Sequence, residues 1–203
     1  MKNSKYPLLF SIATIIILAV SLILSEDKFT WVLEVFPILI GFPILFFTYS
    51  KFKFTNLVYL LLIIHFVVLS VGGIYTYAKV PLGFWMQDWF GFTRNNYDKI
   101  GHFVQGFIPA LLIREVLLRT SPLKRGKWLA FIVASICLAI SAFYEFIEWW
   151  AAALQGASAD AFLGTQGYEW DAQSDMFLAL VGSIFALVSL AWLQDRQMKK
   201  LFL

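Results

Sequence analysis

The chain has 203 residues, of which 60% are hydrophobic and 14% charged, with a formal net charge of +3. An ordinary soluble domain carries roughly 45–50% apolar and about 25% charged residues. A core of this length cannot hide so much apolar surface, so the composition excludes a soluble globular protein and makes the hydrocarbon of a bilayer the solvent. The basic residues form no cluster, which excludes nucleic acid as a partner. The single cysteine, Cys137, lies in an apolar stretch, can form no internal disulfide and reads as a small core residue.

A spanning helix needs about 20 mostly apolar residues. Six stretches qualify, at residues 7–24, 31–48, 56–73, 98–118, 127–150 and 173–193. The expected fold is therefore all-α, a polytopic membrane protein whose residues 1–203 form a single transmembrane domain. Lys2 and Lys5 ahead of the first run have the look of a signal peptide. That run is longer than a usual signal core, and Ser25-Glu26-Asp27 follows without a small-x-small cleavage site, so it reads as a retained first helix. With the N-terminus in the cytoplasm, eleven Lys and Arg residues fall on that side and four on the other. The positive-inside rule then puts both termini in the cytoplasm.

Three connections face outward in that arrangement. The first is a tight turn at residues 25–30. The second, residues 74–97, carries Tyr75, Tyr77, Phe84, Trp85, Trp89, Phe90 and Phe92, and aromatics of this kind favour the headgroup level, so an interfacial segment is expected. The third, residues 151–172, is rich in small residues and holds Gly156, Gly164 and Gly167.

The polar residues inside the spans carry the functional reading. A charged side chain at the centre of a spanning helix costs roughly 2.5–3.5 kcal/mol on the insertion scale, and such residues are usually functional or paired. Asp98, Lys99, His102 and Gln105 open the fourth helix, Glu145 and Glu148 lie late in the fifth, and Asp171 and Asp175 open the sixth. All eight fall at the outer end of their helices. Asp98 and His102, His102 and Gln105, Glu145 and Glu148, and Asp171 and Asp175 are each three or four apart, so each pair shares a face. Consecutive helices with short connections are neighbours, and these faces are expected to converge on one outward-opening pocket. The alternative is a charged rim at the water boundary, with Lys99 neutralising a neighbour.

A histidine among carboxylates can divide acid and base roles or hold a divalent metal. On this reading His102, Glu145, Glu148 and Asp175 are the candidate catalytic or metal-ligating groups, and Asp98, Lys99, Gln105, Gln166 and Asp171 the candidate binding groups. His65, mid-way along the third helix, is expected to make an interhelical hydrogen bond, with lining the deep end of the pocket as the alternative. Arg114 is expected to snorkel to the inner surface beside Glu115, Pro109 to kink its helix, and Trp149 and Trp150 to act as interfacial anchors.

The blocks Asn95–Phe107, Glu145–Trp149 and Phe162–Met176 together resemble the YjdF-type inner-membrane family over most of the chain. More loosely, Asp98-Lys99-x-x-His102, a Glu in the next helix and Asp175 in the one after resemble VanZ-like proteins, associated with glycopeptide resistance. That group often has an Arg ahead of the late Asp, where this chain has Gln173. The resemblance implies a multi-pass protein of the cell inner membrane and the cell envelope, with membrane lipids or a lipid-linked envelope precursor as partner. The expectation is a polar site at the outer leaflet acting on or binding such a component. A proton- or ion-coupled transporter and a non-catalytic envelope helper are the alternatives.

Overall fold

The computed structural model describes residues 6–155 and 168–202. Among the described residues six long helices follow one another: α1 (Tyr6–Leu24), α2 (Lys28–Thr48), α3 (Asn56–Tyr75), α5 (Tyr97–Thr120), α6 (Lys127–Gln155) and α7 (Asp171–Phe202). A 3-10 turn (Tyr77–Lys79) and a ten-residue helix, α4 (Pro81–Phe90), lie between α3 and α5. Helices α2, α3, α5, α6 and α7 are long and apolar enough to cross a membrane, and α1 adds a shorter apolar stretch, Leu8–Leu24. The all-α polytopic expectation holds, with helix ends displaced outward. The last helix runs to Phe202 instead of stopping near residue 193, and α6 runs to Gln155 instead of residue 150.

The helices form two groups of three. Within α1–α2–α3 and within α5–α6–α7 every helix touches the other two, and α3 packs on α5 to join the groups. The centre is apolar, with Val35, Ile38, Val58, Ile108, Leu111 and Val133 fully buried. Large apolar side chains such as Ile23, Phe47, Leu60, Phe131 and Val188 point outward, as a lipid-facing surface requires. Some hydroxyls in the spans bond back to their own helices: Thr14 Oγ1 donates to the Phe10 carbonyl at 2.9 Å, and Ser189 Oγ to the Phe185 carbonyl at 2.6 Å. The turn before α2 is closed by Asp27, which accepts from the Phe29 amide at 2.8 Å and the Thr30 hydroxyl at 3.0 Å. These bonds, the Thr30 hydroxyl foremost, hold its carboxyl below the ordinary range.

The seam between α5 and α7 is unusually close. A Cβ at Gly106 would land on the Ala179 carbonyl, and one at Gly182 on the Phe103 carbonyl. Two glycines on facing helices thus let the backbones touch, the packing device available where lipid supplies no hydrophobic drive between helices.

One end of the bundle, that of the α2–α3 connection, is tied by a buried polar knot. Glu115 accepts from the Thr55 amide (3.1 Å), the Thr55 hydroxyl (2.9 Å), Arg119 (3.0 Å) and Gln194 Nε2 (3.3 Å). Arg114 does not snorkel. It is 5% exposed and donates to Gln194 Oε1 and Asp195 Oδ1, each at 2.8 Å, because α7 continues far enough to bring acceptors inward. In the aromatic segment, Gly83 is the one buried residue of α4, while Trp85, Trp89 and Phe90 are exposed. Trp149 and Trp150 are likewise exposed.

Gly106→Ala is expected to destabilise the purified protein by roughly 1–3 kcal/mol through overpacking, read as a lower midpoint in a thermal unfolding assay. Gly41→Ala, where a Cβ meets nothing within 4 Å, should leave the midpoint unchanged.

Candidate functional site

The opposite end of the bundle holds the eight polar residues singled out by spacing. Gln166 falls outside the described residues. The site begins with how α5 starts. Asn95 is buried, donates to the Val80 carbonyl at 2.9 Å and accepts from the Tyr97 amide at 3.1 Å. Its side chain thereby closes a local turn that sets the direction of the first helical residues. Tyr97 anchors the same turn to α3 by donating to the Val68 carbonyl at 3.0 Å.

That start aims two cations at three carboxylates. Arg94 Nη2 lies 2.7 Å from Asp98 Oδ2 and 2.7 Å from Asp171 Oδ1. Lys99 Nζ lies 2.5 Å from Asp171 Oδ1, 2.8 Å from Asp175 Oδ1 and 3.4 Å from Asp98 Oδ2. All five side chains are largely buried, and the Tyr168 ring lies 5.2 Å from the Arg94 guanidinium and 5.7 Å from Lys99. Lys99 therefore neutralises several partners at once. A guanidinium does reach Asp171, although residue 173 is Gln: it comes from the connection before α5.

Behind this ion network a cavity of about 140 Å³ opens between the two helix groups. Helical periodicity explains its lining. Asp98, Gly101, His102, Gln105 and Pro109 come from one face of α5, Ile140, Tyr144 and Glu148 from one face of α6, and Asp175 from α7. The first group supplies Glu34 and Pro37 from α2, His65 and Leu69 from α3, and Tyr77. Both histidines of the chain thus line one cavity. His65 makes no interhelical hydrogen bond through Nε2, which has no partner among the described residues; it occupies the deep end. Desolvation keeps the Tyr77 hydroxyl protonated, with its pKa well above the usual range, so it enters the wall as a neutral donor.

The eight residues converge unevenly. Asp98, His102, Gln105, Glu148 and Asp175 reach the cavity, whereas Lys99 and Asp171 stay in the ion network and Glu145 approaches His102 from α6. His102 Nδ1 lies 3.9 Å from Glu145 Oε1, and Nε2 lies 3.8 Å from Asp175 Oδ2. Neither separation is a hydrogen bond. Asp98 Oδ1, His102 Nδ1 and Glu145 Oε1 are buried without a hydrogen-bond partner among the described residues. Three of the four candidate metal ligands, His102, Glu145 and Asp175, offer atoms within 4.8 Å of one another; Glu148 stands apart in the cavity wall.

Four contributors escaped the sequence reading. Arg94 reads in the sequence as one of the four outward basic residues, Tyr77 as one of the aromatics of the second outward connection, and Tyr144 carries no signal beyond its aromatic ring. Glu34, a carboxylate buried in the apolar α2, was overlooked despite a legible signal, since an acid in a spanning helix is a functional candidate by default. Tyr144 also has a structural partner. Pro37 has no amide hydrogen, which frees the Leu33 carbonyl one turn earlier, and Tyr144 donates to that carbonyl at 3.2 Å.

Removing one member of the ion network should have unequal effects. Lys99→Met leaves Asp171 and Asp175 facing each other with Arg94 alone, and is expected to cost about 3–5 kcal/mol, as breaking a buried pair does. Asp171→Asn leaves Arg94 with Asp98 and Lys99 with Asp175, and should cost clearly less. Thermal unfolding in detergent reads the order, and a larger loss in Asp171→Asn would contradict this account of the network.

No solved structure matches the chain. The chain is 50% identical over 176 residues to the inner membrane protein YjdF of Escherichia coli (strain K12), covering 87% of this chain and 84% of that one. The family described as predicted membrane protein (DUF2238) matches residues 6–196, and the chain belongs to that family of membrane proteins.

Proposed function

We propose that this protein resides in the cell inner membrane, as the name of its Escherichia coli relative has it, and binds or acts on a lipid or lipid-linked envelope component. The polar head enters the His/carboxylate cavity and the hydrocarbon chain lies in a groove below it. His102, Glu145, Glu148 and Asp175 carry the interaction with the head, and Lys/Arg asymmetry supports an outer-leaflet position for that end, opposite both termini.

One observation supports this reading above others. The polar cavity adjoins an apolar groove of about 510 Å³, the two sharing Pro37, His65, Leu69 and Pro109 in their walls. The groove is walled by α2 and α5 over a floor of α3, with Ile44, Leu45, Leu62, Phe66, Leu112 and Val116 among its lining. A polar chamber set beside an oily slot suits an amphiphile. Small-molecule sites are concave and largely apolar with a few placed polar groups, and this one fits a molecule with a head and a tail. Ion or proton transport is less well served, since the lining beyond His65 is almost wholly apolar and offers no hydrated route.

Native mass spectrometry of the protein in mild detergent tests the reading. Wild type should retain one amphiphile preferentially. Glu148→Gln should lose it through the head, and Gly41→Trp should lose it by filling the groove, since Gly41 lines the slot with open space before it. Both variants should reach the membrane at normal levels. Identical lipid profiles in all three proteins would refute the proposal.

A further inference from the structure

We propose that His102, Glu145 and Asp175 form a divalent cation site, with Zn²⁺ or Mn²⁺ as occupant. The inference goes beyond the lipid reading and stands without it.

The three ligands come from α5, α6 and α7, the three mutually packed helices of the second group. Their donor atoms are spaced as atoms around an ion are, and not as hydrogen-bond partners. Glu145 Oε1 lies 3.9 Å from His102 Nδ1 and Asp175 Oδ2 lies 3.8 Å from His102 Nε2; an ion takes one ring nitrogen only, and one donor atom from each of the three residues lies within 4.8 Å of the other two. Metal–ligand bonds of about 2.1 Å put neighbouring ligands some 3–4 Å apart. The imidazole itself points to a ligand. His102 is 8% exposed, and its Nδ1 and the facing Glu145 Oε1 both lack a hydrogen-bond partner among the described residues. Buried polar atoms left in this state are costly, and two that face each other across a gap are satisfied together by one cation.

Charge points the same way. Arg94 and Lys99 are engaged by Asp98, Asp171 and Asp175 Oδ1. Glu145 and Glu148 have no Lys or Arg within salt-bridge distance among the described residues. The site thus holds more acidic groups than the protein's own cations pair, and inside a low-dielectric bundle such groups are neutralised by protons or by a bound cation. Asp175 is already oriented for coordination, since Lys99 holds Oδ1 at 2.8 Å while Oδ2 faces His102, the supporting arrangement expected behind a metal ligand. One imidazole with two carboxylates suits Zn²⁺ or Mn²⁺ better than Ca²⁺ or Cu⁺. The adjoining cavity leaves coordination positions for water or for the oxygens of an anionic head, which the carboxylates alone would repel.

The test is titration of chelator-treated protein in detergent with Zn²⁺ and Mn²⁺, followed by calorimetry. Wild type should bind one equivalent. His102→Gln, Glu145→Gln and Asp175→Asn should each weaken binding by at least about 100-fold, since even an outer partner is worth 10–100-fold. Glu34→Gln, which changes the same cavity away from the three ligands, should keep full affinity. Absence of saturable binding to wild type overturns the proposal, and so does an equal loss in Glu34→Gln, which would mean a diffuse carboxylate field or proton occupancy. Should the amide variants not survive purification, His102→Cys with Co²⁺ decides. Coordination predicts a thiolate-to-cobalt charge-transfer band, and its absence from folded protein refutes the site.

Discussion

The close approach of α5 and α7 sets the geometry on which the polar end depends. Because Gly106 and Gly182 let the two backbones touch, the first turn of α5 lies within reach of the first turn of α7. Lys99 can then span Asp171 and Asp175, and Arg94 can join Asp98 to Asp171. A wider seam would draw these partners beyond salt-bridge distance and leave carboxylates unpaired in a low-dielectric setting, where the penalty is severe. Backbone contact in the middle of the bundle and charge pairing at its end are two aspects of a single alignment.

The two ends of the bundle solve the same physical problem differently. At the Glu115 end every strong acceptor is met: one carboxylate takes five hydrogen bonds, and each of two arginines is held by side chains or carbonyls. That end is a fastening. At the His102 end the outer layer is paired apart from Asp98 Oδ1, yet the layer behind it contains acids and imidazoles facing space. Buried polar groups in folded proteins are nearly always satisfied, so the contrast separates the two networks more sharply than residue type does.

How much of this was legible in the sequence varied with the kind of information involved. Spans announce themselves through length and hydropathy, so six helices were foreseeable. Their ends were less so, because hydropathy stops at the first charge. Gln194 and Asp195 continue α7 since Arg114 and Glu115, near the end of another helix, supply partners for them. The site's α5, α6 and α7 residues were found from three- and four-residue spacing within each helix. Glu34 was not joined to it, and His65 only as the alternative to an interhelical hydrogen bond, since each stands alone on its helix and only the docking of one helix group on the other brings them across the cavity. Arg94 was hidden for another reason: a loop cation looks like a topology signal until the fold turns it inward.

The missing amide of Pro37 has an effect beyond its own helix. A proline in a helix is usually a local defect, a carbonyl with nothing to accept. Here the defect is an attachment point. The Leu33 oxygen it frees is met by the Tyr144 hydroxyl of the other helix group, so the two halves are latched by a bond that an intact α2 would have kept to itself. The chamber wall is therefore built from a vacancy in backbone hydrogen bonding, and restoring regularity to the helix would loosen the joint between the halves. Local disorder in one ladder becomes cohesion between two bodies.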